Sequence, residues 1–205
     1  MTDKKKPRYE AFTTPPGEAI FPWITRADTE FDSNGVFRTD LSVPFDEAQP
    51  FIAKLEATLN DFVQTLPLNK QSALTKRPVY TEELTRPEYP EDATPDEKRA
   101  IREAWQGEPT GNVVFRFKLK AHVDTDSGGF DQAPIVVHAG TGEKCEDPVY
   151  NGSIIRIRGQ IVPYTNNAAG TVGVTLRMKA VQVIELQTGS GGGGDAFWAS
   201  GFDDE

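Results

Sequence analysis

Cysteine is nearly absent: Cys145 stands alone in 205 residues. A lone thiol excludes an internal disulfide and any multi-cysteine zinc site. Histidine is almost as scarce, and His122 and His138 lack metal-ligand spacing. No apolar run approaches the roughly 18 residues that a membrane span needs. Met1-Thr2-Asp3-Lys4-Lys5-Lys6-Pro7 carries no apolar stretch behind its lysines, so a secretory leader is not expected. These absences point to a reducing, cytoplasmic setting with no resident metal. Hydrophobic residues make up only 37%, while 18 glycines and 15 prolines demand many loops. Positive charge is short as well: 22 Lys and Arg stand against 31 Asp and Glu, a net charge of −9. Taken as a total, that balance argues against an anionic partner.

The total hides where the charges fall. Residues 1–38 carry six groups of each sign, and residues 39–111 carry eight basic and fourteen acidic groups. Residues 112–185 carry eight basic and seven acidic groups, and residues 186–205 carry four acids and no base. The excess acid therefore sits in the middle and at the end.

Residues 1–11 read as a basic arm without apolar pattern, holding Lys4, Lys5, Lys6 and Arg8. A domain is expected over 12–188, with a helical and loop insert at 46–111. Val36 to Val43 reads as a strand. Phe51, Leu55, Leu59, Phe62, Val63 and Leu66 recur at helical spacing, predicting about four turns that end before Pro67. Residues 67–93 are proline-rich and read as loop. Thr94-Pro95-Asp96-Glu97 is a capping-box start with proline at the first helical position, so a short helix runs to about Gln106.

The second half alternates with period two. Phe115, Phe117, Leu119, Ala121 and Val123 face one way, and Arg116, Lys118, Lys120 and His122 the other. Pro134 to His138 reads as a short strand. Ile155, Ile157 and Ile161 turn inward against Arg156, Arg158 and Gln160. Val172, Val174, Leu176 and Met178 alternate with Gly173, Thr175, Arg177 and Lys179, and a phase slip near Ala180-Val181 predicts a bulge. Gly189 to Gly194 is a flexible linker, and 195–205 an acidic tail carrying Phe197, Trp198 and Phe202.

The outward faces of the three clean strands present Arg116, Lys118, Lys120, Arg156, Arg158, Arg177 and Lys179, and no acid. Like charges on neighbouring strands repel, by a few tenths of a kcal/mol or more per pair. An anionic ligand would remove that repulsion; the bland alternative is a solvated face. Catalysis is poorly supported. Neither histidine has a Ser, Cys or Asp in a catalytic pattern. The glycine run precedes no helix, so it is no dinucleotide fingerprint. Cys145 beside Lys144 reads as inert. Asp124, Asp126 and Asp131 read as a solvated turn rather than a nuclease metal site.

Strands with a basic face and a spliced-in helix suggest a mainly β, five-stranded oligonucleotide-binding barrel. Gly35-Val36-Phe37-Arg38-Thr39-Asp40-Leu41-Ser42-Val43-Pro44 and Val114-Phe115-Arg116-Phe117-Lys118 resemble strands of the single-stranded DNA-binding replication proteins of short-tailed bacteriophages. So do Ile161-Val162-Pro163-Tyr164, Ala169-Gly170, Val174-Thr175-Leu176 and Val181-Gln182-Val183-Ile184-Glu185-Leu186, and the glycine run with its acidic aromatic tail. The resemblance covers about 12–45 and 112–205. It implies a non-enzymatic protein of phage DNA replication and recombination, in the cytoplasm of the infected bacterial host.

The resemblance also assigns roles. Tyr164 becomes the stacking ring, and Arg116 and Lys118 the strand cations. The tail, with Asp195, Phe197, Trp198, Phe202, Asp203, Asp204 and Glu205, competes with DNA for the cleft. It also contacts the phage DNA polymerase and the helicase–primase, and mediates dimer contacts. Two departures stand out: Asn166 occupies a place where a second aromatic is expected, and the chain here ends on acids rather than on an aromatic. The alternative is a protein-interaction or structural barrel that binds no nucleic acid.

Overall fold

The computed structural model of the chain describes residues 9–30, 32–125 and 128–187. It is mainly β. In chain order the elements are β1 (Glu10–Thr13), β2 (Gly17–Asp28), β3 (Val36–Pro44), α1 (Phe45–Thr65), α2 (Leu68–Ala73), β4 (Thr75–Lys76) and β5 (Thr81–Leu84). They continue with α3 (Pro95–Ala104), β6 (Pro109–Lys120), β7 (His122–Val123), β8 (Phe130–Asp131), β9 (Ile135–His138), β10 (Ile154–Asn166) and β11 (Thr171–Glu185). No helix among the described residues is long and apolar enough to cross a membrane.

Clean alternation in the sequence becomes strand in the structure. β6 buries Val113, Phe115, Phe117 and Leu119 and exposes Arg116, Lys118 and Lys120. β10 buries Ile155, Ile157 and Ile161; β11 buries Val172, Leu176, Met178, Val181 and Val183. β2 pairs antiparallel with β3, and β3 with β6. β6 runs parallel to β11 at Phe117↔Leu176 and Lys118↔Arg177. β11 pairs antiparallel with β10, and β10 returns to β2 through Ile154↔Glu18 and Ile155↔Gly17. The pairings thus come back to their starting strand.

Inside this ring the side chains meet as rings on rings. Phe12 lies 5.3 Å from Phe51 and 5.7 Å from Phe117, and Phe51 lies 4.9 Å from Phe115. α1 supplies Ala48, Phe51, Ile52 and Leu55 to that core. Each such large side chain, fully buried, contributes about 1.5–3 kcal/mol.

Several expectations are corrected. α1 begins at Phe45, before Pro50, and is 21 residues long rather than four turns. Asp46 and Glu47 in its first turn suit a helix N-terminus, and Pro50 removes only one backbone donor. The stretch 67–93 is not all loop, since α2, β4 and β5 lie in it. β4 borrows its partner from β11 and β5 from β6, and no local periodicity encodes that. The expected arm over 1–11 gives Glu10 and Ala11 to β1, which pairs with β10 at Ile161 and Gln160. Lys54 Nζ donates to the Ala11 carbonyl at 2.7 Å, tying β1 to α1. The alternation expected through Val123 stops at Lys120; His122 opens a separate hairpin, β7–β8. The capping box at Thr94 forms as the sequence predicts, with Glu97 as its partner.

Candidate nucleic-acid interface

Side chains directly opposite one another on paired strands share a face, about 4.5–5.5 Å apart at Cβ. The register places Trp23 of β2 opposite Arg38 of β3, and Arg38 opposite Lys118 of β6. Lys118 lies opposite Arg177 of β11, and Arg177 opposite Gln160 of β10. One row therefore crosses five strands on the outer face, with three consecutive cations at its centre. The inner-face counterparts of this row, Phe117 and Leu176, are buried, so the row points away from the core.

The face is not free of acid, contrary to expectation. Arg116 is paired with Asp40 across the β3–β6 ladder, donating from Nε at 3.1 Å and from a terminal nitrogen at 3.2 Å. These hydrogen bonds, then the carboxylate charge, raise the arginine pKa further. Arg38 makes a 2.6 Å ion pair with Asp28, whose side chain is only 6% exposed. Among the described residues no carboxylate pairs with Lys118, Lys120, Arg158, Arg177 or Lys179. The sequence alone could not separate these two groups of cations, because their partners come from another strand.

The predicted bulge exists, one residue earlier than its centre. Arg158 opposes Ala180 and Gly159 opposes Met178, which leaves Lys179 as the extra residue. Burial, and then the neighbouring Arg177 charge, lower the Lys179 pKa. Both push in the direction an incoming anion would reverse. Arg158 is exposed beside the bulge, opposite Thr13 of β1 on its other side. Arg156 lies farther along β10, opposite Gln182, and its Nε is buried with no hydrogen-bond partner among the described residues. It belongs to the end of the sheet that β9 flanks.

Tyr164 is half-buried at the far end of β10, opposite Gly173. A Cβ on Gly173 would come within 2.9 Å of the phenol oxygen and 3.1–3.2 Å of ring carbons. The glycine is what lets the ring lie across β11. The Tyr9 ring sits under the Arg177 guanidinium at 5.5 Å. Trp23 and Arg38 join the row only through the β2–β3 register, which no local pattern in the sequence signals. Lys4, Lys5, Lys6, Arg8, Asp195, Phe197, Trp198, Phe202, Asp203, Asp204 and Glu205 lie outside the described residues.

The groups weighed for catalysis are otherwise engaged. His122 Nδ1 lies 2.6 Å from Asp131, and Nε2 lies 3.3 Å from Asp124. The hydrogen bond to Asp131 raises the His122 pKa. Cys145 is buried, and burial pushes its thiol up, the opposite of an activated nucleophile.

Fold and site define a class: a mainly β domain whose outer sheet carries a row of cations bordered by rings. No protein-family model matches the chain. The chain is similar to the single-stranded DNA-binding protein of Enterobacteria phage T3, at 32% identity over 97 residues. That match takes in 46% of this chain and 41% of the relative, so it spans about two fifths of the curated protein's length. In three dimensions the chain resembles a single-stranded DNA-binding protein encoded by bacteriophage T7, with a TM-score of 0.64 at 20% identity. The likeness covers 97% of this chain and 98% of the other. It also resembles the single-stranded DNA-binding protein of bacteriophage Enc34 in complex with ssDNA, with a TM-score of 0.52 at 12% identity. There it covers 88% of this chain and 89% of the other. At these identities the structural likenesses establish the fold. The resemblance read from the strand motifs is borne out, since these similar proteins are phage single-stranded DNA-binding proteins.

Proposed function

We propose that the chain is a sequence-tolerant, non-enzymatic single-stranded DNA-binding protein of phage DNA replication and recombination, acting in the cytoplasm of the infected host. The observation that carries this is the row Arg38–Lys118–Arg177 on the outer face. Lys118, Lys120, Arg158, Arg177 and Lys179 hold phosphates, and Tyr164 stacks a base. Phosphate contacts carry no sequence information, and every base has a face to stack, so the binding tolerates any sequence.

The closed path of pairings supports a five-stranded oligonucleotide-binding barrel. In such a barrel the second and third strands form the binding face. Here those strands are β3 and β6, which carry Arg38, Arg116, Lys118 and Lys120. The names of the similar phage proteins support the same ligand. Lys4, Lys5, Lys6 and Arg8 add an arm that tracks the backbone. The acidic tail competes for the cationic face, then recruits the phage polymerase and helicase–primase once DNA displaces it. The same tail mediates dimer contacts.

The test is a titration of fluorescent oligo-dT with the full chain and with a 1–188 truncation, at two salt concentrations. Binding that weakens with salt, and tightens on truncation most at low salt, is the expected result. Binding unchanged or weakened by truncation would remove the competing tail. No binding by either form would leave a protein-interaction module on a shared fold.

A further inference from the structure

The β2–β3 ladder shifts register twice, between Ile20 and Trp23 and between Trp23 and Asp28, and the first shift aims a side chain. Ile20 is opposite Asp40, and the next pair is Trp23 opposite Arg38. Three steps on β2 match two on β3, so β2 holds an extra residue. Side chains alternate along a strand. Without the insertion, Pro22 would stand opposite Arg38 and Trp23 would turn to the core. With it, Trp23 joins the outer row and Ile24 is buried, 1% exposed.

The insertion is costly. Phe21 adopts φ +49°, the only non-glycine residue at positive φ among those described, and the residue is 62% exposed. A bulky side chain there is an outlier. Strain of this kind persists where the surroundings enforce it, and it clusters at functional sites. Here Asn151 enforces it: its Oδ1 accepts the Phe21 N–H at 2.5 Å. Trp23 is half-buried, and the Arg26 guanidinium sits 4.7 Å from its ring centre. That guanidinium lies over one face of the indole and steadies it, leaving the other face for a base.

We infer that Trp23 is a base-stacking platform at the β2 end of the cationic row, and that the Phe21 bulge, pinned by Asn151, is the device that presents it. The ligand is a nucleobase of the same single strand whose phosphates lie on Lys118 and Arg177. Trp23 and Arg177 stand three strand spacings apart, about 14 Å at about 4.8 Å per strand. A strand crossing the sheet therefore meets a ring at one end, cations in the middle and the Tyr9–Arg177 pair at the other. The inference rests on the proposed single-stranded DNA binding and deepens it.

The test uses the full chain and labelled oligo-dT, read by anisotropy and by tryptophan emission. Trp23→Ala is expected to weaken binding about tenfold while leaving the salt slope unchanged, because stacking involves no counterion. Trp23→Phe keeps affinity within about twofold, since a phenyl ring also stacks, but loses most of the DNA-induced emission change. Asn151→Ala, which leaves Trp23 in place but unpins the bulge, weakens binding in the same sense as Trp23→Ala. Circular dichroism confirms that each variant is folded. Two results overturn the inference: Trp23→Ala binding within twofold of the parent, or a slope reduced along with affinity, which would make the loss one of charge. If the parent chain itself fails to bind, the DNA-binding proposal falls first; if only Trp23→Ala is silent, the platform alone falls.

Discussion

Arg116 and Lys118 are two residues apart on β6 and both project outward, yet they differ in electrostatic state. Arg116 has a bidentate partner in Asp40, whereas Lys118 has no carboxylate partner among the described residues and stands between Arg177 and the Asp28-paired Arg38. A phosphate reaching Arg116 must compete with a carboxylate; one reaching Lys118 relieves repulsion. Lys118→Ala should therefore weaken oligo-dT binding more than Arg116→Ala. Asp40→Asn should tighten binding and steepen the salt slope by about 0.7, the value for one added phosphate contact on a single strand. Equal losses from the two alanine variants would show that Asp40 yields to phosphate at no cost.

His122 gives a prediction in pH at the same scale. Its hydrogen bond to Asp131 raises its pKa above the ordinary 6.5. A raised folded-state value means the imidazolium supports the β7–β8 hairpin fully below about pH 6.5 and loses that support as pH rises through its folded value. Proton NMR of the histidine ring should give a midpoint above 6.5. Asp131→Asn should bring it down toward that value, and no movement would assign the shift elsewhere.

At the scale of elements, close approach decides which glycines are required. A Cβ on Gly159 of β10 would lie 2.2 Å from the Arg177 carbonyl oxygen and 2.7 Å from the Phe12 ring. The backbone of β11 presses there because Lys179 bulges beside it. Gly159→Ala should cost about 1–3 kcal/mol by overpacking. For a chain of this size, thermal melting should fall by about 2–4 °C per kcal/mol. Gly140→Ala is the control, since nothing lies within 4 Å of its Cβ position, and its melting temperature should not fall. α1 answers to a different term. Leu55 is fully buried in the shared core, and Leu55→Ala should cost about 2–5 kcal/mol in a denaturant titration.

For the whole molecule, a net charge of −9 and a basic row coexist because the excess acid falls in residues 39–111 and 186–205. Among the described residues of this face, Lys118, Lys120, Arg158, Arg177 and Lys179 have no carboxylate partner. At about −0.7 per phosphate neutralised, they allow a log–log salt slope near −3.5 from the folded domain. A measured slope near zero for the 1–188 form would mean that the face is merely solvated.

Periodicity in the sequence determined the regular strands, the inward isoleucines of β10, the capped helix at Thr94 and the outward cations of β6 and β11. These follow from alternation and capping, which act over neighbouring residues and so are written locally. Only the tertiary structure decided which cations stand together. Arg38, Lys118 and Arg177 are neighbours through pairing register, and register depends on residues far apart in the chain. The same holds for Asp40 silencing Arg116, for β4 and β5 finding edges to join, and for Trp23 turning outward. That last step hangs on one inserted residue in β2 and on Asn151, 130 positions away, holding it.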